Sequence, residues 1–377
     1  MIVSTTEFLR RNNGHALLPE TRPYRFNRPP ADPAPDPGSR IFRTGFAGDA
    51  EGAARLAAQQ SRPQDGTAPA HVLAEAYWTG VSGQPARAAA RLEQALDELR
   101  AARPGAPDDA AALELRNDLA HWQGESGDTG GARELFEQLL ADAAVVLGRR
   151  DPRTLLIRGN AAHWRGRDGE VRRAADDFRR LHADCRRALG TGHRDTLLAH
   201  NNLAFWTGES GDGRGALELF EELLPQVLDA LGADDFYTLA ARNNVAYWRG
   251  FNGDATGALA QYAPLLRDCE RTLGDRDYHT LSTRLQYGLW SGVAGDPATA
   301  VAALSALLPD VEAVLGPDHD LAHAARHQLA RWHGADGNPR AAVAILERLV
   351  ADQRRVLGAD DYRTLATQGL LTRYSSA

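Results

Sequence analysis

NNLAFWTGESGD, residues 201–212, decides the fold, because it returns forty-two positions later as NNVAYWRGFNGD, residues 243–254. Two asparagines, a tryptophan and two glycines stand in identical places. All seven tryptophans fall on the same lattice: Trp78, Trp122, Trp164, Trp206, Trp248, Trp290 and Trp332, one interval of 44 followed by five of 42. Gly stands two residues after each Trp and again five after it, and Ala stands ten after it. A fixed period of this length marks an array in which each repeat is one supersecondary unit.

Each lattice residue has a local physical reading. Before the Trp, apolar residues such as Leu197, Leu203 and Ala204 recur at helical spacing and define a first helix, A. Gly211 and its equivalents fall where the residue after a helix takes left-handed backbone. The next residue is Asp128, Asp212, Asp254, Asp296 or Asn338, suited to the N-cap of a second helix, B, with Glu170 and Gln84 as departures. Helix B runs through Ala216, Phe220, Leu223 and Leu224 to the pair Leu231–Gly232, which recurs at 147, 189, 273, 315 and 357. A new cap follows as Asp109, Asp151, Asp235, Asp277 or Asp361, with His193 and His319 as exceptions, and Asp151–Pro152 adds a Pro at the first helical position. One helix pair cannot bury both its faces, so the units must stack.

The spacing Ala204, Ala216, Phe220, repeated as Ala246, Ala258, Tyr262 and as Ala120, Ala132, Phe136, resembles the tetratricopeptide repeat (TPR). The 42-residue period, with LG-x-x-D-x-x-T-L leading into NNLA, is similar to the kinesin-light-chain type of that repeat and to arrays in actinobacterial regulatory proteins that lie beside kinase or NTPase domains. The sequence departs from the common pattern in carrying Arg or His where helix A usually has a Trp, and in lacking the closing Pro. The resemblance implies an all-α TPR superhelical solenoid of about seven helix-turn-helix repeats over residues 65–377. A degenerate half repeat over 38–64, with Arg43 in the Trp slot, precedes it as a cap. Tyr374, forty-two residues after Trp332, marks a lone C-terminal helix A that caps the other end. Residues 1–37 include seven prolines between 19 and 37 and read as a disordered or polyproline tether.

Composition narrows the function. With 377 residues, a net charge of −7 and a pI near 6.0, the chain lacks the basic footprint of a nucleic-acid or anionic-membrane binder. No stretch approaches ~18 apolar residues, and the N-terminus has no signal-peptide pattern, so a cytoplasmic location is expected. All 43 basic residues are Arg. The absence of Lys rules out a Walker A loop, a kinase strand lysine and Schiff-base chemistry. Cys185 and Cys269 occupy a slot filled elsewhere by Ala143, Val227 and Val311, which predicts small buried apolar residues. No cofactor and no catalytic activity are expected.

Winding helix A at ~100° per residue puts Leu203, Trp206 and Ala199 on or beside one arc and Asn201, Asn202 and Phe205 on another. In TPR arrays the second arc lines the concave face. The resemblance therefore implies a peptide-binding groove of Asn117, Asp118, His121, Asn160, His163, Asn201, Asn202, Phe205, Asn243, Asn244, Tyr247, Gln286 and Gln328. Side-chain amides there offer donors and acceptors to the backbone of an extended segment. The Trp column reads as inter-repeat packing. The column Arg116, Arg158, His200, Arg242, Arg284 and Arg326 lies near the buried arc and is expected to pair with the capping Asp109, Asp151, Asp235 and Asp277. His319, His323 and His327 break the repeat. His323 and His327 share a helical face, but no catalytic HExxH pattern accompanies them, and solvated or hydrogen-bonding His is the expectation over a metal site. The functional expectation is a scaffold or adaptor that binds a protein or peptide segment. A sensor of a short peptide or small ligand, and an accessory protein or enzyme of a biosynthetic pathway, are the alternatives.

Overall fold

The computed structural model describes residues 50–60 and 69–375. Among these, sixteen helices follow one another and no strand occurs. They are α1 (Ala50–Gln60), α2 (Pro69–Val81), α3 (Pro85–Ala102), α4 (Ala110–Glu125), α5 (Thr129–Val146), α6 (Pro152–Arg167), α7 (Val171–Leu189), α8 (Arg194–Glu209), α9 (Gly213–Leu231), α10 (Phe236–Phe251), α11 (Ala255–Leu273), α12 (Tyr278–Val293), α13 (Pro297–Leu315), α14 (Asp320–Ala335), α15 (Pro339–Val356) and α16 (Tyr362–Ser375). The chain forms two compact units that part between Ser210 and Gly211. In the first, α1 to α8 each pack on the next; in the second, α9 to α16 do the same. Even-numbered helices, the A helices, also touch the next A helix within their own unit.

The helix ends follow from the repeating caps. Asp254 accepts from the Gly257 amide at 2.8 Å and Asp235 from the Tyr237 amide at 2.8 Å, each satisfying a first-turn N–H that the helix leaves open. His193 and His319, the exceptions in sequence, do the same work with Nδ1, which accepts from Asp195 at 3.2 Å and from Leu321 at 3.0 Å. Glu170 and Gln84 make no side-chain cap. Gly253, with φ of 103°, and Gly274, with φ of 91°, turn the chain out of helices A and B through backbone open to Gly at little cost.

Each B helix contributes one buried column at spacings of four, three and four residues. Ala174, Phe178, Leu181 and Cys185 form it in α7, and Ala258, Tyr262, Leu265 and Cys269 in α11. Both cysteines are buried and neither is in a disulfide, and burial pushes the Cys185 thiol up to about 12. They fill the small apolar slot that the repeat assigns them. Helix α13 is long and apolar enough to cross a membrane by length and composition, with a mean hydropathy of 1.6 over its most apolar window, though Pro, Thr, Ser, Asp and Glu interrupt its apolar run. It nevertheless buries Ala300, Leu304, Leu307 and Val311 at the same helix B spacing and holds Asp310 against Arg284.

The two ends differ from the interior. The Pro-rich segment 1–37 and residues 38–49 of the cap repeat lie outside the described residues. Helix α1 buries Ala53 and Ala57 in a cluster with Ala74 and Trp78. At the other end Tyr374 stands in the Trp slot of α16, and its hydroxyl donates to the Arg331 carbonyl at 3.1 Å.

Candidate functional site

The A helices carry the residues singled out in sequence, and the structure sets most of them deeper than an open groove would. Twelve of the thirteen are buried, and Asn201 is half-buried. In the first unit Asn160 Nδ2 donates to Asn117 Oδ1 at 2.8 Å, and Asn117 Nδ2 donates to Asp118 Oδ1 at 2.9 Å, so two neighbouring A helices are joined by a polar seam. Asn202 Nδ2 turns to the Leu198 carbonyl of its own helix at 3.0 Å. In the second unit Asn243, Asn244, Gln286 and Gln328 are all buried, and the Gln286 amide has no partner for either polar atom among the described residues. Asp118, Asn160, Asn202, Asn244, Gln286 and Gln328 share one helix position, one turn before the Trp. All six are buried, deeper than the groove lining expected of them, and Asn160 is bonded to the neighbouring A helix.

His121, His163, Phe205 and Tyr247 share the next position of interest and lie against the Trp rings. His163 meets Trp164 and Trp206 edge-on, both with centroids 5.7 Å away. Tyr247 meets Trp248 at 5.3 Å and Trp290 at 6.5 Å. Burial, helped by Arg167, holds His163 down to about 3, so it is neutral at pH 7 and acts as a flat aromatic filler.

The Trp rings owe their seats to the glycines two residues after each preceding Trp. A Cβ built at Gly80, Gly124 or Gly166 would overlap the ring of Trp122, Trp164 or Trp206. The same holds for Gly250 with Trp290, Gly292 with Trp332 and Gly334 with Tyr374. Trp78 and Trp248 are also buried. These rings are packing between repeats, with no open face for stacking a ligand.

The Arg column is paired, but with other carboxylates than the caps. Arg116, Arg158, Arg242, Arg284 and Arg326 reach Asp142, Asp184, Asp268, Asp310 and Asp352, each 26 residues on, from helix A to the helix B of the same repeat. The capping carboxylates are occupied by helix N–H groups, so the arginines turn to the facing helix. Arg116 adds Asp108 and Arg326 adds Glu312. Of the terminal histidines, His319 is an N-cap, His323 is buried with neither ring nitrogen bonded, and His327 is half-buried. No group of three His, Cys, Asp or Glu placed to hold a metal occurs among the described residues.

One concave site does stand within the second unit. A cavity of about 10 Å³ is lined by Phe236, Leu239, Ala240 and Asn243 of α10, Cys269 and Leu273 of α11, and His279, Ser282 and Thr283 of α12. That volume is room for roughly one water. Phe236 meets the His279 ring edge-on at 4.2 Å and closes one wall. The Thr283 hydroxyl donates to the His279 carbonyl at 2.7 Å, and the Tyr262 hydroxyl donates to the Asn243 main-chain carbonyl at 3.2 Å. Asn243 was singled out in sequence; Phe236, Ser282 and Thr283 were missed. Continuing the same helical arc N-terminally from Asn243 passes Ala240 and Leu239 to Phe236, a signal that was available.

Stacked helical hairpins with this lattice define a class of repeat protein. The fold is that of tetratricopeptide repeats: the model of a tetratricopeptide repeat family matches residues 324–362, from within α14 to the start of α16. No curated protein matches the sequence. Among solved structures, a tetratricopeptide repeat protein from Parabacteroides merdae aligns at 14% identity over 81% of this chain and 97% of its own, with a TM-score of 0.53. A Rap protein complexed with competence and sporulation factor aligns at 11% identity over 89% of this chain and 96% of its own, also at 0.53. TPR-like repeats of a kinesin-light-chain-type protein from Podosopora anserina align at 22% identity over 52% and 92%, with a TM-score of 0.46.

Proposed function

We propose that this chain is a protein-interaction scaffold that takes an extended peptide segment along its A helices, with no chemistry of its own. The observation that carries this reading is the cavity beside Asn243. It is framed by one aromatic ring, apolar side chains, and an amide and two hydroxyls on neighbouring helices. Such a cavity suits a small side chain or a backbone polar group of a bound segment, because the polar groups pay little reorganisation on pairing. At about 10 Å³ it is far too small for a free small-molecule ligand, which favours a peptide over the small-ligand sensor. The similarly folded Rap protein named above was solved complexed with competence and sporulation factor, which supports a partner-binding role.

The experiment is selection of a phage-displayed library of random 12-residue peptides on the immobilised full chain, with Asn243→Ala as the counter-target. The reading expects enriched sequences that prefer the wild type. Absence of enrichment, or equal enrichment on both proteins, contradicts it.

A further inference from the structure

The Arg–Asp clasp has no counterpart in the repeat of α8, nor in that of α2, where Val72 fills the Arg slot. His200 stands in the Arg column, and Gln226 stands where other repeats carry Asp142, Asp184, Asp268, Asp310 and Asp352. A second departure accompanies the first. His182 of α7 fills a slot that is Leu140, Leu224, Leu266 and Leu308 elsewhere. The structure brings these two substitutions together: the rings of His182 and His200 stack with centroids 4.4 Å apart and 17° between planes.

The pair is poor in compensating groups. His200 is buried, and neither of its ring nitrogens has a hydrogen-bond partner; His182 Nε2 has none either. Arg186, one turn along α7 from His182, is the charged side chain whose field reaches both rings. The nearby carboxylates are turned elsewhere: Asp184 binds Arg158 of α6 and Arg187 of its own helix, and Asp195 of α8 lies by the cap His193. Cys185, also on α7, is a buried neutral thiol. Burial holds both rings below the usual imidazole range, His200 at about 4, with the other ring and Arg186 adding to the effect on His200.

We propose that the stacked His182–His200 pair makes the packing of α7 on α8 an acid-sensitive joint, which opens on proton uptake before the rest of its unit. Two imidazolium rings at stacking distance repel one another and Arg186, and no carboxylate stands ready to absorb the charge. A neutral pair, by contrast, is a flat apolar contact of the kind Leu makes in the other repeats. Because the rings take up protons far more readily when the joint is open, the open population rises as pH falls below the ordinary imidazole range of about 6.5.

Hydrogen exchange of the full chain from pH 7.5 to 5, corrected for intrinsic exchange, tests this at the level of single helices. Protection of peptides from 175–205 is expected to fall by at least about tenfold per pH unit below 6.5, one decade for each proton taken up. Peptides from α3, which carries no histidine, are expected to change less. His182→Leu restores the residue type of the other repeats and should lessen the slope, and His182→Leu with His200→Gln should flatten it. Equal loss of protection in α3, or an unchanged slope in the double variant, overturns the proposal. If the double variant proves unfolded by far-UV circular dichroism at pH 7.5, the single variant decides: a slope equal to wild type overturns the proposal and a lesser one sustains it.

Discussion

Trp290 lies on Gly250, a contact made possible by a missing methyl: any Cβ at 250 would enter the indole ring. The same relation ties Gly292 to Trp332 and Gly334 to Tyr374, so the 42-residue lattice of the sequence is a record of ring-on-glycine contacts between successive A helices. Ala for Gly inside a helix ordinarily stabilises by up to ~1 kcal/mol. Here the ring must move, and overpacking costs ~1–3 kcal/mol. Gly250→Ala is therefore expected to lower the urea midpoint. Gly130→Ala in α5, whose nearest atom to a new Cβ is Asp168 Oδ1 at 3.8 Å, should leave it unchanged or raise it.

The clasp spacing of 26 residues predicts energetic coupling between helices A and B. Arg284 Nη1 and Asp310 Oδ2 lie 2.8 Å apart with side chains 19% and 33% exposed. A double-mutant cycle with Arg284→Ala and Asp310→Ala should give ~0.2–1 kcal/mol, falling with added salt. Coupling indistinguishable from zero at low salt would make the regular spacing incidental.

His163 predicts a pH dependence of opposite sign to that of a paired histidine. Its folded pKa, about 3, lies below the unfolded value near 6.5 because burial disfavours the charged ring. The neutral form's stability is thus fully present above ~6.5 and is lost as pH falls from there towards 3. His163→Phe, which adopts the residue of the same slot at Phe205, should reduce the slope of unfolding free energy against pH by up to ~1.4 kcal/mol per unit between pH 6 and 5. An unchanged slope would show that His163 is already protonated or solvent-linked in the fold.

The polar seam predicts a stability cost where the sequence promised a binding effect. Asn160→Ala removes the donor to Asn117 and leaves a buried carbonyl oxygen without its partner. Losses of this kind run to ~1–3 kcal/mol. Thermal denaturation of the first unit's helices, followed by circular dichroism, should register the change, and an unaltered melting curve would place these amides in solvent.

Much of this architecture is legible in sequence because it rests on local rules repeated many times. Asp254 and Asp235 cap, Gly253 and Gly274 turn, and Trp206 meets Gly166 wherever the lattice puts them. What sequence could not show is which way a polar side chain turns at the edge of an arc. Asn201 and Asn202 are adjacent and both lie near the expected groove, yet Asn202 binds its own helix and Asn201 stays half-buried. A rotation of ~100° separates the two, and the pattern of apolar residues does not fix on which side of an arc's edge each one falls. The Arg column was misassigned for a related reason. Distance along the chain favoured the caps, while the facing helix B, 26 residues away, offered carboxylates that cap no helix.

The interaction reading turns on Asn243 and the cavity it lines, and calorimetric titration tests it most directly. The titrant is a synthetic copy of the enriched 12-residue peptide, and the proteins are wild type, Asn243→Ala and Asn160→Ala, each checked for folding. Loss of one amide contact, ~0.5–1.5 kcal/mol, predicts a Kd raised roughly 2- to 12-fold in Asn243→Ala. Asn160→Ala, in the seam of the other unit, should bind as wild type does. Equal Kd for wild type and a folded Asn243→Ala would contradict the account.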